Sequence, residues 1–223
     1  MGPARVSPRI LVHKDLPALG EATRDRLQGP VAALSGGSTY EALFPIWAAG
    51  RLPPAMFLPV DERRVGLSQP GSNWAVAIRL LLDPAGLPDQ ALHWTPSARH
   101  LDDLVRRLVP AKAGHLPAIP QVWLGMGDDG HTASLFPGGT ELSDLESLAL
   151  QTTAPKPPHP RVTLGLAALR AAEDLVVVVT GSAKGPVLRR ALDGDRTLPL
   201  ALVLEGREST IFVDETCARA AGL

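Results

Sequence analysis

Short, continuously apolar runs separated by segments of helical pattern constrain the fold of this chain more than any other feature. Residues 175–179 form the clearest run, and residues 31–34 and 122–124 have the same character. Runs without polar alternation are typical of parallel strands that are buried on both faces. The pattern predicts an α/β fold in which helices flank an open, mainly parallel Rossmann-like sheet, with a small additional α/β elaboration. Residues 1–223 are expected to form one such domain.

The other elements are predicted from the same patterns. Strands are expected at 10–13, 56–60, 92–94, 148–153, 200–204 and 210–213. Helices are expected at 16–27, 38–49, 73–82, 101–108, 165–172, 185–192 and 215–220. Ser38 and Glu41 have the spacing of a capping box at the start of the second helix. The proline-rich segment 154–160 is incompatible with a helix or a central strand and predicts an extended loop.

The composition limits which partners and which cell compartment are expected for this protein. The formal net charge is −1, so the whole molecule gives no electrostatic argument for binding nucleic acid or a membrane surface. Cys217 is the only cysteine, which excludes an intrachain disulfide framework and a cysteine-based zinc cluster. No apolar run has the length of a membrane span, and residues 1–9 lack the apolar core of a signal peptide. We therefore expect a soluble cytoplasmic protein.

Four of the predicted strands end in chemically unusual loops. These loops are Ser-Gly-Gly-Ser at 35–38, Asp-Glu-Arg-Arg at 61–64, Gly-Met-Gly-Asp-Asp-Gly-His at 125–131 and Gly-Ser-Ala-Lys at 181–184. In open α/β sheets, ligands bind outside the carboxyl ends of the strands. Each loop alone is compatible with an ordinary solvated turn, but the four together predict one shared crevice.

The predicted crevice suits an anion such as a phosphate. The glycine pair 36–37 precedes a helix N-terminus, where exposed N–H groups and the helix dipole favour negative charge. Ser38 and Thr39 add hydroxyl donors. Three cationic side chains are expected nearby and could pair with a phosphate: Arg63, Arg161 and Lys184.

His131 is the candidate proton acceptor, because it alone among the six histidines lies in a glycine turn. An ordinary imidazole has a pKa of about 6.5 and can accept a proton at neutral pH. Asp129 stands two residues earlier and could orient the ring. No second histidine stands at ligand spacing, so no metal is expected, and no Gly-x-Ser-x-Gly elbow supports a serine nucleophile. Two mechanisms remain for a phosphorylated small molecule as substrate: attack by base-activated water and direct proton shuttling.

The same glycine loop also matches the Gly-x-Gly-x-x-Gly pattern of dinucleotide-binding folds through Gly125, Gly127 and Gly130. Pro137 follows too soon for the helix that would carry a pyrophosphate. Two adjacent aspartates, 128–129, would place negative charge where the pyrophosphate should lie. We therefore predict no dinucleotide and no other cofactor.

Four motifs of the chain resemble those of the 6-phosphogluconolactonases, in the wider group that includes glucosamine-6-phosphate deaminases. They are residues 34–39, residues 61–63 with 72–73, residues 125–138 and residues 160–164. The ending Thr-Ala-Ser-Leu-Phe-Pro at 132–137 is similar to the lactonase branch, since deaminases carry a different ending after Gly-His. The chain departs from the family pattern at Tyr40, where proline is common, and at 69–71, where a histidine and an aspartate are usual.

The resemblance implies hydrolysis of 6-phospho-D-glucono-1,5-lactone to 6-phosphogluconate, a step of the oxidative pentose phosphate pathway, by water that a histidine activates. It implies a catalytic group of His131, Asp129 and Arg63. It further implies that substrate and phosphate are bound by Gly36, Gly37, Ser38, Thr39, Asp61, Asn73, Gly127, Arg161 and Lys184. The expected ligand is a phosphorylated sugar lactone, with no metal.

Two alternatives remain open from the sequence. One is a glucosamine-6-phosphate deaminase or isomerase, in which Asp61 would move a proton between adjacent carbons and His131 would assist ring opening. The other is a non-catalytic sugar-phosphate sensor on the same fold. We expect the protein to be a monomer or a weak homo-oligomer.

Overall fold

A six-stranded parallel sheet forms the centre of the computed structural model, which describes residues 6–52, 56–66, 69, 71–87, 96–111 and 113–223. In order along the described chain, the strands are β1 (Arg9–His13), β2 (Val31–Leu34), β3 (Met56–Pro59), β4 (Asp61–Arg63), β5 (Gln121–Gly125), β6 (Ala149–Thr153), β7 (Pro160–Leu164), β8 (Asp174–Val179) and β9 (Thr210–Asp214). The main sheet has the order β1-β9-β8-β5-β2-β3, and each neighbouring pair is parallel. The predicted mainly parallel sheet is therefore confirmed.

Helices flank this sheet, as predicted. They are α1 (Leu16–Arg26), α2 (Ser38–Ala48), α3 (Asn73–Ala77), α4 (Ala98–Leu108), α5 (Leu166–Ala171), α6 (Gly185–Leu192), α7 (Pro199–Leu204) and α8 (Glu215–Ala221). A π-helical turn, Ile78–Leu82, extends α3, and short 3-10 turns cover Thr140–Ser143 and Ser182–Lys184. No helix of the described residues is long and apolar enough to cross a membrane.

The core explains why the central strands are apolar throughout. Each residue from 175 to 179 of β8 is fully buried, as expected for a strand covered on both faces. Next to it, Trp123 of β5 packs edge-on against Trp47 of α2, with ring centroids 5.2 Å apart. Trp47 also donates its indole N–H to Thr23 of α1, so its one polar atom is satisfied inside the core.

The predicted elaboration is a second, antiparallel sheet with the order β4-β7-β6, against which α4 packs. Residues 61–63 form its first strand rather than the loop that the sequence suggested. The chain passes directly from β3 into β4 through Val60, whose N–H donates to Leu34 of the main sheet and whose carbonyl accepts from Leu164 of the second. Because these bonds hold both sides of the turn, Asp61 and Glu62 are buried instead of solvated.

Two further local predictions are wrong. Residues 200–204 form helix α7 instead of a strand, since a short apolar run without alternation does not distinguish the two, and Pro199 occupies its first turn. The capping box of Ser38 and Glu41 is absent, because α2 begins at Ser38 itself and Gly37 occupies the cap position without a side-chain hydrogen bond. The strand predicted at 92–94 lies outside the described residues.

A buried carboxylate connects β4 to the start of α3. Glu62 accepts hydrogen bonds from the backbone N–H groups of Arg63, Asn73 and Trp74 and from the Ser72 hydroxyl, at 2.6 to 2.8 Å. Burial raises the pKa of Glu62, and the four donors act in the opposite direction. With four donors around it, the ionised form is satisfied, and it anchors the helix end that carries Asn73.

Arg207 closes the carboxyl end of α5. Its guanidinium donates to the carbonyls of Leu169, Arg170 and Ala172, at 2.7 to 2.9 Å. Helix ends leave such carbonyls without intrahelical partners, and a cationic donor also favours the negative end of the helix dipole. The contact joins segments that are more than 30 residues apart in sequence.

Replacing Arg207 with Met should lower the free energy of unfolding by about 2 kcal/mol, because three carbonyls would lose a charged donor. Urea denaturation followed by circular dichroism measures the change. Arg99→Met is the matched control, since Arg99 is almost fully exposed and its loss should cost less than about 0.5 kcal/mol. Equal stabilities of the two variants would contradict the capping role.

Candidate active site

A cavity of about 700 Å³ lies at the carboxyl ends of the parallel strands. The loops after β2, β5 and β8 line it, and β4 and β7 of the second sheet complete the wall. All twelve residues that the sequence assigned to the site line this one cavity. The structure thus brings together residues that are up to 148 positions apart in sequence, Gly36 and Lys184 being the outermost. No group of His, Cys, Asp or Glu among the residues with described positions could hold a metal ion.

The His131–Asp129 pair is the centre of the site. The imidazole Nδ1 lies 2.5 Å from Asp129 Oδ1, and the His131 backbone N–H donates to the same oxygen at 3.1 Å. Burial opposes ionisation of Asp129, but the backbone hydrogen bond and the nearby imidazole outweigh it, so the pKa of Asp129 lies below its ordinary value. Because an ionised carboxylate only accepts, Nδ1 carries a proton, and in the neutral ring Nε2 presents its lone pair.

The turn around His131 is closed by its own hydrogen bonds. Gly127 N–H donates to the His131 carbonyl at 2.9 Å, and Gly130 N–H donates to the Gly127 carbonyl at 3.0 Å. Thr132 adds a hydroxyl bond to the carbonyl of Gly125 at 2.8 Å. The short loop therefore holds His131 without a helix directly after it.

The three glycines of this turn serve different purposes. Only Gly130 has a left-handed backbone, with φ +83°. A Cβ at Gly127 would overlap the His131 ring, so this glycine leaves room for the imidazole to lie against the backbone. A Cβ at Gly125 would make only an ordinary contact, 3.7 Å from the Tyr40 ring.

Phe136 lies beside the imidazole and was not assigned to the site from the sequence. Its ring centroid is 5.1 Å from that of His131, in a tilted arrangement. It also lines the cavity. The only sequence signal for it is its place in the motif at 125–138, because an aromatic residue after a glycine turn carries no chemical signature of its own.

Two arginines form a cationic wall. Arg63 and Arg161 lie directly opposite each other on β4 and β7. Burial lowers the pKa of Arg161, the charge of Arg63 lowers it further, and Asp61 and Glu62 partly compensate. Like charges placed opposite each other on neighbouring strands are destabilising without a counter-ion. The pair is therefore suited to an anionic group of a ligand.

Arg63 keeps donor capacity for such a ligand. One terminal N–H donates to the carbonyl of Gly71 at 2.5 Å. Its Nε is buried and has no hydrogen-bond partner, and Arg63 forms no ion pair with any described residue. Arg161 donates its Nε to the carbonyl of Pro158 at 2.7 Å, which holds the side chain against the loop at 154–160.

The opposite wall is formed by the loops after β2 and β8. The hydroxyls of Thr39 and Thr180 lie 3.2 Å apart and connect these loops. Lys184 stands at the start of α6, lines the cavity and forms no ion pair within the described parts of the chain. Lys156 also lines the cavity, and only its isolated charge in a proline-rich loop could have indicated this from sequence.

The loop after β2 carries two glycines that line the cavity. Gly37 has φ +88°, a conformation that favours glycine, and directly precedes the first residue of α2. A Cβ at Gly36 would overlap the side chain of Asn73, so this position lets the amide approach the loop. Because no side chain caps α2, its N-terminus is available to an anion.

Ser134 is a further lining residue that sequence reasoning did not assign. Its side chain is buried, and its hydroxyl donates to Asp61 Oδ2 at 2.6 Å. Asp61 is itself buried at the cavity wall. No sequence signal could have paired them, because 73 positions separate the two residues.

Replacing Gly127 with Ala should displace the His131 ring and break its contact with Asp129, because the added methyl would occupy the space of the imidazole. The downfield proton-NMR signal of a strongly hydrogen-bonded Nδ1–H should be lost. Gly125→Ala, on the same loop, should keep this signal. Retention of the signal in Gly127→Ala would show that the ring is held by other contacts.

The lowered pKa of Asp129 predicts a dependence of stability on pH. A carboxylate whose folded pKa lies below its unfolded value of about 3.9 stabilises the folded state above that value and loses this contribution as pH falls through the folded pKa. Urea unfolding of the protein and of Asp129→Asn should therefore differ most near neutral pH, and the difference should shrink below about pH 4. A difference that stays constant down to about pH 2 would contradict this prediction.

Comparison with known proteins identifies relatives of this chain in sequence and in structure. Residues 16–212 match the family described as glucosamine-6-phosphate isomerases/6-phosphogluconolactonase. The 6-phosphogluconolactonase of Rattus norvegicus is 37% identical, covering 83% of this chain and 78% of that protein. That of Synechocystis sp. is 32% identical, covering 80% and 79%. The solved 6-phosphogluconolactonase of Trypanosoma brucei has a TM-score of 0.79 at 25% identity, covering 96% and 98%. The chain belongs to the glucosamine-6-phosphate isomerase/6-phosphogluconolactonase family.

Proposed function

We propose that this protein hydrolyses 6-phospho-D-glucono-1,5-lactone to 6-phosphogluconate, the second step of the oxidative pentose phosphate pathway. The observation that carries the proposal is the oriented His131–Asp129 pair in a cavity with cationic side chains on two walls. The 6-phosphogluconolactonase names of the rat and Synechocystis relatives support the same reaction.

In the proposed first step, His131 Nε2 takes a proton from a water molecule while the water oxygen attacks the lactone carbonyl carbon. Asp129 holds the Nδ1 proton and stabilises the positive charge that develops on the ring. A general base of this kind contributes typically about 10²–10⁴-fold to a rate. The carbonyl oxygen becomes an oxyanion in this step.

The oxyanion needs donors that are already in place. The guanidinium of Arg63 and N–H groups of the glycine loops are the proposed donors, since these residues line the same cavity. Removing one such donor in an acyl-transfer enzyme costs about 3–4 kcal/mol of transition-state stabilisation. When the tetrahedral intermediate collapses, the bond from the carbonyl carbon to the ring oxygen breaks, and His131 returns its proton to that oxygen. The product acid then ionises into water.

The remaining lining residues are proposed to bind the phosphate and the sugar hydroxyls. Lys184, Arg161 and the N-terminus of α2 supply positive charge or N–H donors, and none of the cations has a carboxylate ion-pair partner within the described chain. Ser38 and Thr39 add hydroxyls at that helix end. Gly127 and Asn73 are proposed to contact the substrate through the backbone and the side-chain amide.

The environment of Asp61 favours hydrolysis over isomerisation or deamination. A proton shuttle between adjacent carbons needs a carboxylate that is free to accept and release a proton. Asp61 is instead buried, and its Oδ2 accepts a 2.6 Å hydrogen bond from the Ser134 hydroxyl. Because one carboxylate oxygen is already engaged in this way, we assign Asp61 to substrate binding.

Replacing His131 with Ala should lower kcat/KM for the lactone by about 10²–10⁴-fold, because the general base is removed. The assay follows proton release, corrected for spontaneous ring opening. His115→Ala is the matched control, since His115 is exposed on the connector before β5 and should have unchanged activity. Near-normal turnover by folded His131→Ala would contradict the proposed mechanism.

The same assay separates the rival functions. The wild-type protein is tested with the phosphorylated lactone, with the lactone lacking phosphate and with glucosamine 6-phosphate. We expect fast hydrolysis of the first, much lower kcat/KM for the second and no turnover of the third. Saturable binding of the lactone without turnover would favour a sensor. The cytoplasmic location and a monomeric or weakly associated state stay predictions from the sequence.

A further inference from the structure

The hydrogen bond between Ser134 and Asp61 is short and buried, unlike an ordinary surface hydrogen bond. Ser134 and Asp61 are 1% and 5% exposed, and the hydroxyl oxygen lies 2.6 Å from Asp61 Oδ2. Hydrogen bonds to ionised acceptors are short and strong, and more so when they are removed from water. Both residues line the cavity, so the bond lies at the wall that faces the ligand.

The backbone N–H, the backbone carbonyl and the hydroxyl of Ser134 all form hydrogen bonds. Its N–H donates to the Thr163 hydroxyl at 3.2 Å, and its carbonyl accepts from the Thr152 hydroxyl at 2.9 Å. Thr163 lies on β7, which pairs with β4, and Thr152 lies on β6, which pairs with β7. The catalytic turn is thereby tied to the second sheet through one serine.

The backbone before Ser134 is strained in a way that this attachment explains. Ala133 has φ +53°, a left-handed conformation that costs free energy in a residue with a Cβ. Such a conformation persists only where neighbouring contacts determine it. Here the conformation of Ala133 directs the Ser134 hydroxyl towards Asp61. Ser134 itself lies only three residues after His131 in the same turn.

We infer that Ser134 is a positioning residue that orients the Asp61 carboxylate so that its other oxygen, Oδ1, accepts a hydroxyl of the sugar ring. Oδ1 has no hydrogen-bond partner among the residues with described positions, whereas Oδ2 is occupied by Ser134. This inference rests on the proposed lactone hydrolysis and assigns the recognition of a ring hydroxyl to Asp61. Since one turn carries both His131 and Ser134, the proton acceptor and the hydroxyl acceptor have a common support.

A double-mutant cycle on lactone hydrolysis tests the inference, with the proteins Ser134→Ala, Asp61→Ala and the double variant. Ser134→Ala alone should lower kcat/KM by about 10- to 100-fold, the range for one hydrogen bond to a charged group. In the Asp61→Ala background the same change should cost less than about 3-fold, because a residue that acts through another has nothing left to orient. Most of the single-variant loss should appear in KM, since the hydroxyl contact exists in both ground and transition states.

Ser147→Ala is the matched control. Ser147 donates to Asp144 at 2.7 Å, a serine–aspartate bond of the same kind that does not line the cavity, so its loss should leave kcat and KM unchanged. If Ser134→Ala does not fold, Ser134→Cys, which keeps the shape with a weaker donor, takes its place in the cycle. A full loss that persists in the Asp61→Ala background, or one confined to kcat, would overturn the inference. Failure of the wild-type protein to hydrolyse the lactone would instead overturn the proposed function and this inference with it.

Discussion

The common direction of the six main strands is the constraint on which the rest of the structure depends. Because every neighbouring pair is parallel, the loops after β2, β5 and β8 emerge at one edge of the sheet. Their glycines, hydroxyls and charges therefore share one cavity although they are distant in sequence. The central strands are buried on both faces, so this edge of the sheet is supported by the packed core.

The second sheet supplies what the strand-end loops lack. Through Val60, the chain leaves the main sheet and enters β4 without a connecting loop. That junction buries Asp61 and Glu62 and sets Arg63 opposite Arg161. The cationic pair and Asp61 line the cavity together with the turn that carries His131, so residues of both sheets bound the same cavity.

Close approach and unusual backbone angles both shape the site itself. Gly127 and Gly36 are glycines because the His131 ring and the Asn73 amide occupy the space of their missing side chains. Gly130 and Gly37, in contrast, adopt left-handed conformations. The one non-glycine residue with positive φ, among those the structure describes, is Ala133, and it lies in the same turn as His131.

The sequence alone determined the parallel sheet, three of the four predicted strand-end loops and the chemical types present in them. Continuous apolar runs and glycine-rich turns are local signals, so residues 31–34, 175–179 and 125–131 could be read without a structure. It did not determine that residues 200–204 form a helix, because a short apolar run satisfies either element. Only the tertiary structure made 61–63 a strand, placed Phe136 against His131 and joined Ser134 to Asp61. Those outcomes depend on contacts between residues distant in the chain or on the path of a single turn, and neither leaves a periodic pattern in the sequence.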